Sequence, residues 1–274
     1  MVAGRTPPRR PTICRVNEFE LQRQDHLERV QRLGPTLPAD ACFSHESAAV
    51  ARGWPVYRLP AAVKVTRTRG RAVRTSDVHV HIAQLRARDR TMIGDIPVTS
   101  AARTAVDVCR RVPFREGLVV ADAALRAATP RSHVADVLRH QWTWPGVRHA
   151  AIASHHASPL AESALESVVR SRMIELHLPL PRLQVNIVGA TGWIARVDFD
   201  WDDYGVVGEA DGRVKYLDDE LWLEKVRQDA LEDTDRLVIR WTWRAAHAPD
   251  DAFAAGLMRK LERGRRLREL ARAG

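Results

Sequence analysis

Two adjoining stretches carry the residues best suited to chemistry: RVDFDW at 196–201 and VVGEADGRVKY at 206–216. In a strand's two-residue period Asp198 and Asp200 share a face, as do Glu209 and Asp211. Pairing the two stretches around WDDYG would bring Asp198 beside Glu209. Like charges gathered in this way call for a cation, and carboxylate oxygens suit Mg²⁺ or Mn²⁺. Such an ion polarises a phosphate and lowers the pKa of an attacking water, so the pattern reads as a metal-dependent phosphodiesterase site.

The surrounding elements must position these groups. LAESALESVVRSRMIELHL places Ala161, Leu165, Val168, Val169 and Leu176 at helical spacing, with Glu162 and Glu166 on a neighbouring face. Three strands follow, LQVNIV, GWIARVDFDW and YGVVGEAD. DDELWLEKVRQDALED then reads as a helix, RLVIRWTW as a strand, and DAFAAGLMRKLERGRRLREL as a basic helix interrupted by Gly264. Upstream, 17–33 reads as a helix ending at Gly34 and Pro35, and FSHESAAVARGW as a short helix capped by Ser44. AAVKVTRTRG and SDVHVHIAQL alternate as strands. IPVTSAARTAVDVCRRV, FREGLVVADAALRAA and RSHVADVLRHQ read as helices. WTWPGVRHAAIASHHASP has no sustained period, which sets the expected domain boundary there. The expected organisation is a poorly determined segment (1–40), a smaller α+β domain (41–150), and an α/β domain (158–274) with helices flanking a mixed sheet.

The 274 residues carry 43 Lys and Arg against 34 Asp and Glu, a formal charge of +9 that favours a polyanionic partner or reflects Arg-rich coding bias. Cys14, Cys42 and Cys109 are too scattered for a disulfide framework or a zinc site, and no stretch has the length and apolarity of a membrane span. A cytoplasmic protein is expected.

ALESVVR, LPLPRLQV, RVDFDW, GEADGRVKY, EKVRQDAL and RWTW occur in an order that resembles restriction-endonuclease-like nucleases of the PD-(D/E)xK type, related to very-short-patch repair endonucleases. The resemblance covers about Ser158 to Arg244. It implies a Mg²⁺- or Mn²⁺-dependent endonuclease acting on DNA in repair or defence. Asp198 and Glu209 would be metal ligands, Asp211 would complete that shell or bind a second ion, and Glu166 would orient a metal-bound water. Asp211 stands where the signature has lysine, leaving Lys215, or Lys225 on the next helix, to supply the positive charge. Arg227 and Asp229 match the supporting helix. SHESAA through VTRTRGRAVRTSDVHVH to IPVTSAARTAVDV resembles AbiEi-type antitoxins of type IV toxin–antitoxin systems, which implies a toxin partner. The alternative function is a catalytically inactive DNA-binding or antitoxin-like transcriptional regulator.

Other chemistry-bearing residues have plainer readings. Ser44, His45 and Glu46 match a triad in composition, but helix neighbours diverge. His79 and His81 have chelating spacing, which an exposed strand face explains as well. Trp241 and Trp243 read as core. Arg263, Arg265, Arg266, Arg268 and Arg272 offer either phosphate contacts or a solvated face partnered by Glu262 and Glu269.

Overall fold

A computed structural model describes residues 13–189, 192–211, 234 and 236–273. By packing, the chain divides into Met1–Gly53 with Arg58–Ser100, and Trp54–Tyr57 with Ala101–Gly274. Both units are mixed α and β, each with a mixed sheet flanked by helices. No helix among the described residues is long and apolar enough to cross a membrane.

In the first unit, helix α1 (Ile13–Leu33) ends where Gly34 and Pro35 turn the chain into one 3₁₀ turn. β1 (Ala41–Phe43), α2 (His45–Ala51), β2 (Val63–Arg67), β3 (Val73–Arg74), β4 (Val78–Ile82), β5 (Arg90–Ile93) and β6 (Ile96–Thr99) follow. The sheet runs β3-β4-β2-β1-β6-β5. Its core is Val30, Phe43, Ala48, Val63, Val65 and Val98. Ser44 stands at the N-cap of α2 but makes no side-chain cap; its hydroxyl pairs with His45 Nδ1 at 2.9 Å. Of the two strand histidines, His81 differs from an exposed face, since its ring lies against that of buried His45 with centroids 4.6 Å apart and planes tilted by 35°.

In the second unit, α3 (Ala101–Cys109), α4 (Phe114–Arg126), α5 (Arg131–His140) and α6 (Val147–His156) precede α7 (Ala164–Glu175). Then come β7 (Arg182–Gly189), β8 (Gly192–Trp201), β9 (Val206–Ala210), β10 (Leu237–Trp241), α8 (Trp243–Ala246) and α9 (Asp250–Ala273). Apart from Trp54–Tyr57, the second packing unit begins at Ala101. WTWPG is not slack: Arg103 and Arg110 each stand 4.9 Å from the Trp144 ring, and Arg110 Nε donates to the Pro145 carbonyl at 3.0 Å. Gly146, left-handed at φ 80°, then starts α6 against the Arg110 backbone, where a Cβ would lie 2.1 Å from the carbonyl oxygen.

The sheet order is β10-β9-β8-β7, with β9 and β10 parallel and the other pairs antiparallel. Leu165, Val168, Val169 and Met173 of α7, and Phe253, Leu257 and Leu261 of α9, share a core with Phe199, Trp201 and Trp241. Each such side chain contributes about 1.5–3 kcal/mol on burial. Trp243 is the first residue of α8 and not a strand residue. Gly264 does not interrupt α9. It is buried there, and a Cβ would lie 2.2 Å from the Tyr204 carbonyl oxygen and 2.8 Å from Val206.

Candidate functional site

The site starts at the N-terminus of α7. Ser163 caps the helix by accepting from the Glu166 N–H at 3.1 Å, while Glu166 Oε2 accepts from the Glu162 N–H at 2.9 Å. Ser163 is an ordinary N-cap, and the Glu166 carboxylate satisfies the N–H of the residue preceding it, which accounts for part of the Glu166 role without chemistry. The helix is pinned from behind. Buried Asp122 of α4 binds Arg170 at 2.6 Å, accepts from Ser167 Oγ at 2.7 Å, and accepts from the Ser158 N–H at 2.8 Å. Breaking a buried pair of this kind costs about 3–5 kcal/mol, so it is a strong constraint on where Glu166 sits. Asp122 was not singled out from sequence; its signal is one carboxylate inside the otherwise apolar VVADAAL.

The second residue missed from sequence is Gln184 on β7. The β7–β8 ladder pairs Leu183 with Phe199 and Val185 with Val197 but omits the pair between them, Gln184 and Asp198. Gln184 has φ 53°, a left-handed conformation that a residue with a Cβ adopts at a cost of about 1–2 kcal/mol. Its amide nitrogen donates to Glu166 Oε2 at 2.9 Å and to Asp198 Oδ1 at 3.0 Å, which uses both amide protons. Strain of this kind persists where the surroundings over-determine it. One neutral side chain thus ties together two carboxylates from α7 and β8.

Asp198 Oδ2 accepts from the Ala210 N–H at 2.8 Å, which holds that carboxylate against β9 beside Glu209. Glu209, 8% exposed, pairs with Arg240 of β10 through Nε at 3.1 Å, following the strand register that aligns these two residues. Asp211, exposed just beyond β9, donates its backbone N–H to the Trp241 carbonyl at 2.9 Å. Asp200 has a different setting from Asp198: it is 1% exposed and bound by both Arg182 and Arg236. The repeated carboxylate of RVDFDW therefore divides into one structural residue and one site residue. Lys215, Lys225, Gly212, Arg227 and Asp229 lie outside the described residues.

Burial raises the Glu166 carboxyl above its usual pKa, and neighbouring Asp198 pushes it the same way against the lowering effect of the Glu162 N–H. Among the described residues, no group of three or more His, Cys, Asp or Glu side chains is placed to hold a metal ion. The donors themselves suit a hard divalent cation, being carboxylate oxygens on two or three adjacent elements. Glu166 and Asp198 converge; Glu209 adjoins them but is engaged by Arg240.

Two curated relatives share this sequence at 32% identity. They are the uncharacterized proteins Rv2248 and MT2308, from two strains of Mycobacterium tuberculosis, each aligned over 169 residues, or 61% of this chain. The chain spans 62% of their length. No family profile matches the chain, and no solved structure matches it.

Proposed function

We propose that the chain is a divalent-metal-dependent nuclease hydrolysing DNA phosphodiester bonds, in repair or defence, on a restriction-endonuclease-like scaffold. The observation that carries this reading is the convergence of Glu166 and Asp198 on the strained Gln184, next to Glu209. Functional sites are where strain and perturbed carboxylates gather. Asp198 and Glu209 would hold the ion, with Asp211 completing the set. A bound Mg²⁺ or Mn²⁺ would polarise the phosphate and generate a water of lowered pKa. Gln184 fixes the spacing of Glu166 and Asp198, which otherwise repel. Glu166, with its raised pKa, is suited to orienting and exchanging a proton with water. Arg240 neutralises Glu209. Lys215, or Lys225, supplies the remaining positive charge to the phosphate.

A second reading is a DNA-binding or antitoxin-like regulator without turnover, and the Glu209–Arg240 ion pair favours it, because a carboxylate engaged by a guanidinium competes with its use as a ligand. Nicking of supercoiled DNA with Mg²⁺ or Mn²⁺ separates the two. The nuclease reading expects nicking by wild type and a loss of at least about 100-fold in Asp198→Ala, the scale of removing one preorganised electrostatic partner. Equal nicking by wild type and Asp198→Ala would overturn the site assignment. No nicking of any DNA form, with salt-sensitive binding retained, would select the regulator.

A further inference from the structure

We infer that one face of α9 is a phosphate-binding surface for duplex DNA; the choice of partner rests on the nuclease reading above. The helix carries Arg259, Arg263, Arg265, Arg266, Arg268 and Arg272, and the structure sorts them. Arg268 is used internally, donating to the Asp202 carbonyl beside Gly205. Arg265 faces Glu269 at 3.8 Å. Arg259, Arg263 and Arg266 are exposed and form no ion pair among the described residues. With Gly256 and Lys260 they line an open depression of about 690 Å³, to which Glu262 contributes the one carboxylate among its described lining residues.

Gly256 has open space where a Cβ would stand, so it notches the helix surface beneath the row of cations. At about 100° per residue, Arg259, Arg263 and Arg266 fall within about 60° of one another on the side of the helix turned away from the buried row formed by Phe253, Leu257, Leu261 and Gly264, and Arg265 lies on a flank of that row. From Arg259 to Arg266 the helix rises about 10 Å, the axial advance of about three nucleotides along one DNA strand. Guanidinium groups bind phosphate oxygens in a fork, so a spaced row of them suits a repeating phosphodiester better than a single anion. The net charge of +9 attracts the same partner at longer range. Leu267, which lines the same depression, and Leu270 are exposed, two apolar side chains against three arginines and a lysine. That balance favours nucleic acid over insertion into an anionic membrane.

The test is binding of the 274-residue chain to a short fluorescent DNA duplex in EDTA, read by anisotropy over a NaCl series. Omitting divalent ions keeps cleavage out of the measurement, so failure of the nuclease reading and failure of this surface are distinguishable. Wild type is compared with Arg259→Ala/Arg263→Ala/Arg266→Ala and with Arg265→Ala/Arg272→Ala, all checked for folding by circular dichroism. The triple variant is expected to bind at least tenfold more weakly, with a log K against log salt slope shallower by about 3, near 0.9 for each phosphate no longer neutralised. The double variant should stay within about twofold of wild type. Wild type that fails to bind the duplex, a triple variant with unchanged affinity and slope, or equal loss per charge in both variants would overturn the surface. So would loss of binding to phosphatidylserine vesicles with DNA binding intact, which would assign the face to membranes.

Discussion

Each unit holds a buried polar cluster beside a left-handed residue, yet the two clusters neutralise their carboxylates in opposite ways. In the first unit His45 has φ 52°, Glu46 meets the Lys64 ammonium at 2.6 Å, and Ser47 joins His26 at 2.9 Å and accepts from the Lys64 N–H at 2.8 Å. In the second, Gln184 has φ 53°, and Glu166 is held by the amide of Gln184 and the N–H of Glu162, both uncharged donors. The first cluster is nearly closed to solvent and its carboxylate is matched by a cation. The second joins two carboxylates through a neutral amide, at a small but real electrostatic cost. A strained backbone alone marks neither function nor structure; strain together with convergent like charges is the more informative signal.

The largest test of this contrast is Lys64→Met. Leaving Glu46 buried without its ammonium is expected to cost about 3–5 kcal/mol in urea unfolding, and a loss under about 1 kcal/mol would show the first cluster not to be an ion-paired structural element.

Next comes pH. Burial, reinforced by Arg29, lowers His26 to about 4 from 6.5. The folded state therefore binds fewer protons than the unfolded state between those values, so stability falls as pH drops from about 6.5 to about 4 and is unaffected by this group above that window. The loss should reach about 2–3 kcal/mol and be largely absent in His26→Gln, which denaturation at about pH 7 and about pH 4.5 can measure. An identical pH slope in the variant would remove His26 from the account.

The smallest effect has the opposite sign. A carboxyl whose folded pKa is raised costs stability when ionised, so Glu166→Gln should keep or increase thermal stability, by up to about 1 kcal/mol, while impairing nicking. A destabilisation beyond about 1 kcal/mol would make Glu166 chiefly a helix-cap residue and erase the contrast with Glu46.

Much of the second unit was legible because its signals are local. The apolar spacing of ALESVVR, the alternation in RVDFDW, and the glycine-marked turn before VVGEA each report an element through its own period. The nearness of Asp198 to Glu209 was legible for the same reason: they lie on strands joined by a short turn. Gln184 was not legible, since LQVNIV shows only alternation and the amide's two partners come from a helix and another strand. Helix α6 was hidden because its buried contacts are small, Ala150 and Ala153, and leave little apolar contrast. Ser44 sits where a cap belongs, but the hydroxyl turns to His45, a choice that the buried surroundings make and local propensity does not. Gly264 reads as a helix breaker in isolation; its reason is a neighbour far away in sequence, the Tyr204 carbonyl.

That last approach has a geometric consequence for α9. The helix touches the Tyr204–Val206 segment through a position where no side chain fits, so it behaves as a keyed shaft with one permitted angle about its axis. The setting that seats Gly264 is also the one that turns Arg259, Arg263 and Arg266 outward. Inserting a single residue between Arg263 and Gly264 would shift the phase of the key against the preceding turns by about 100°. The arginines would keep their number and charge, but Arg259 and Arg263 would turn by that angle relative to the seated Gly264.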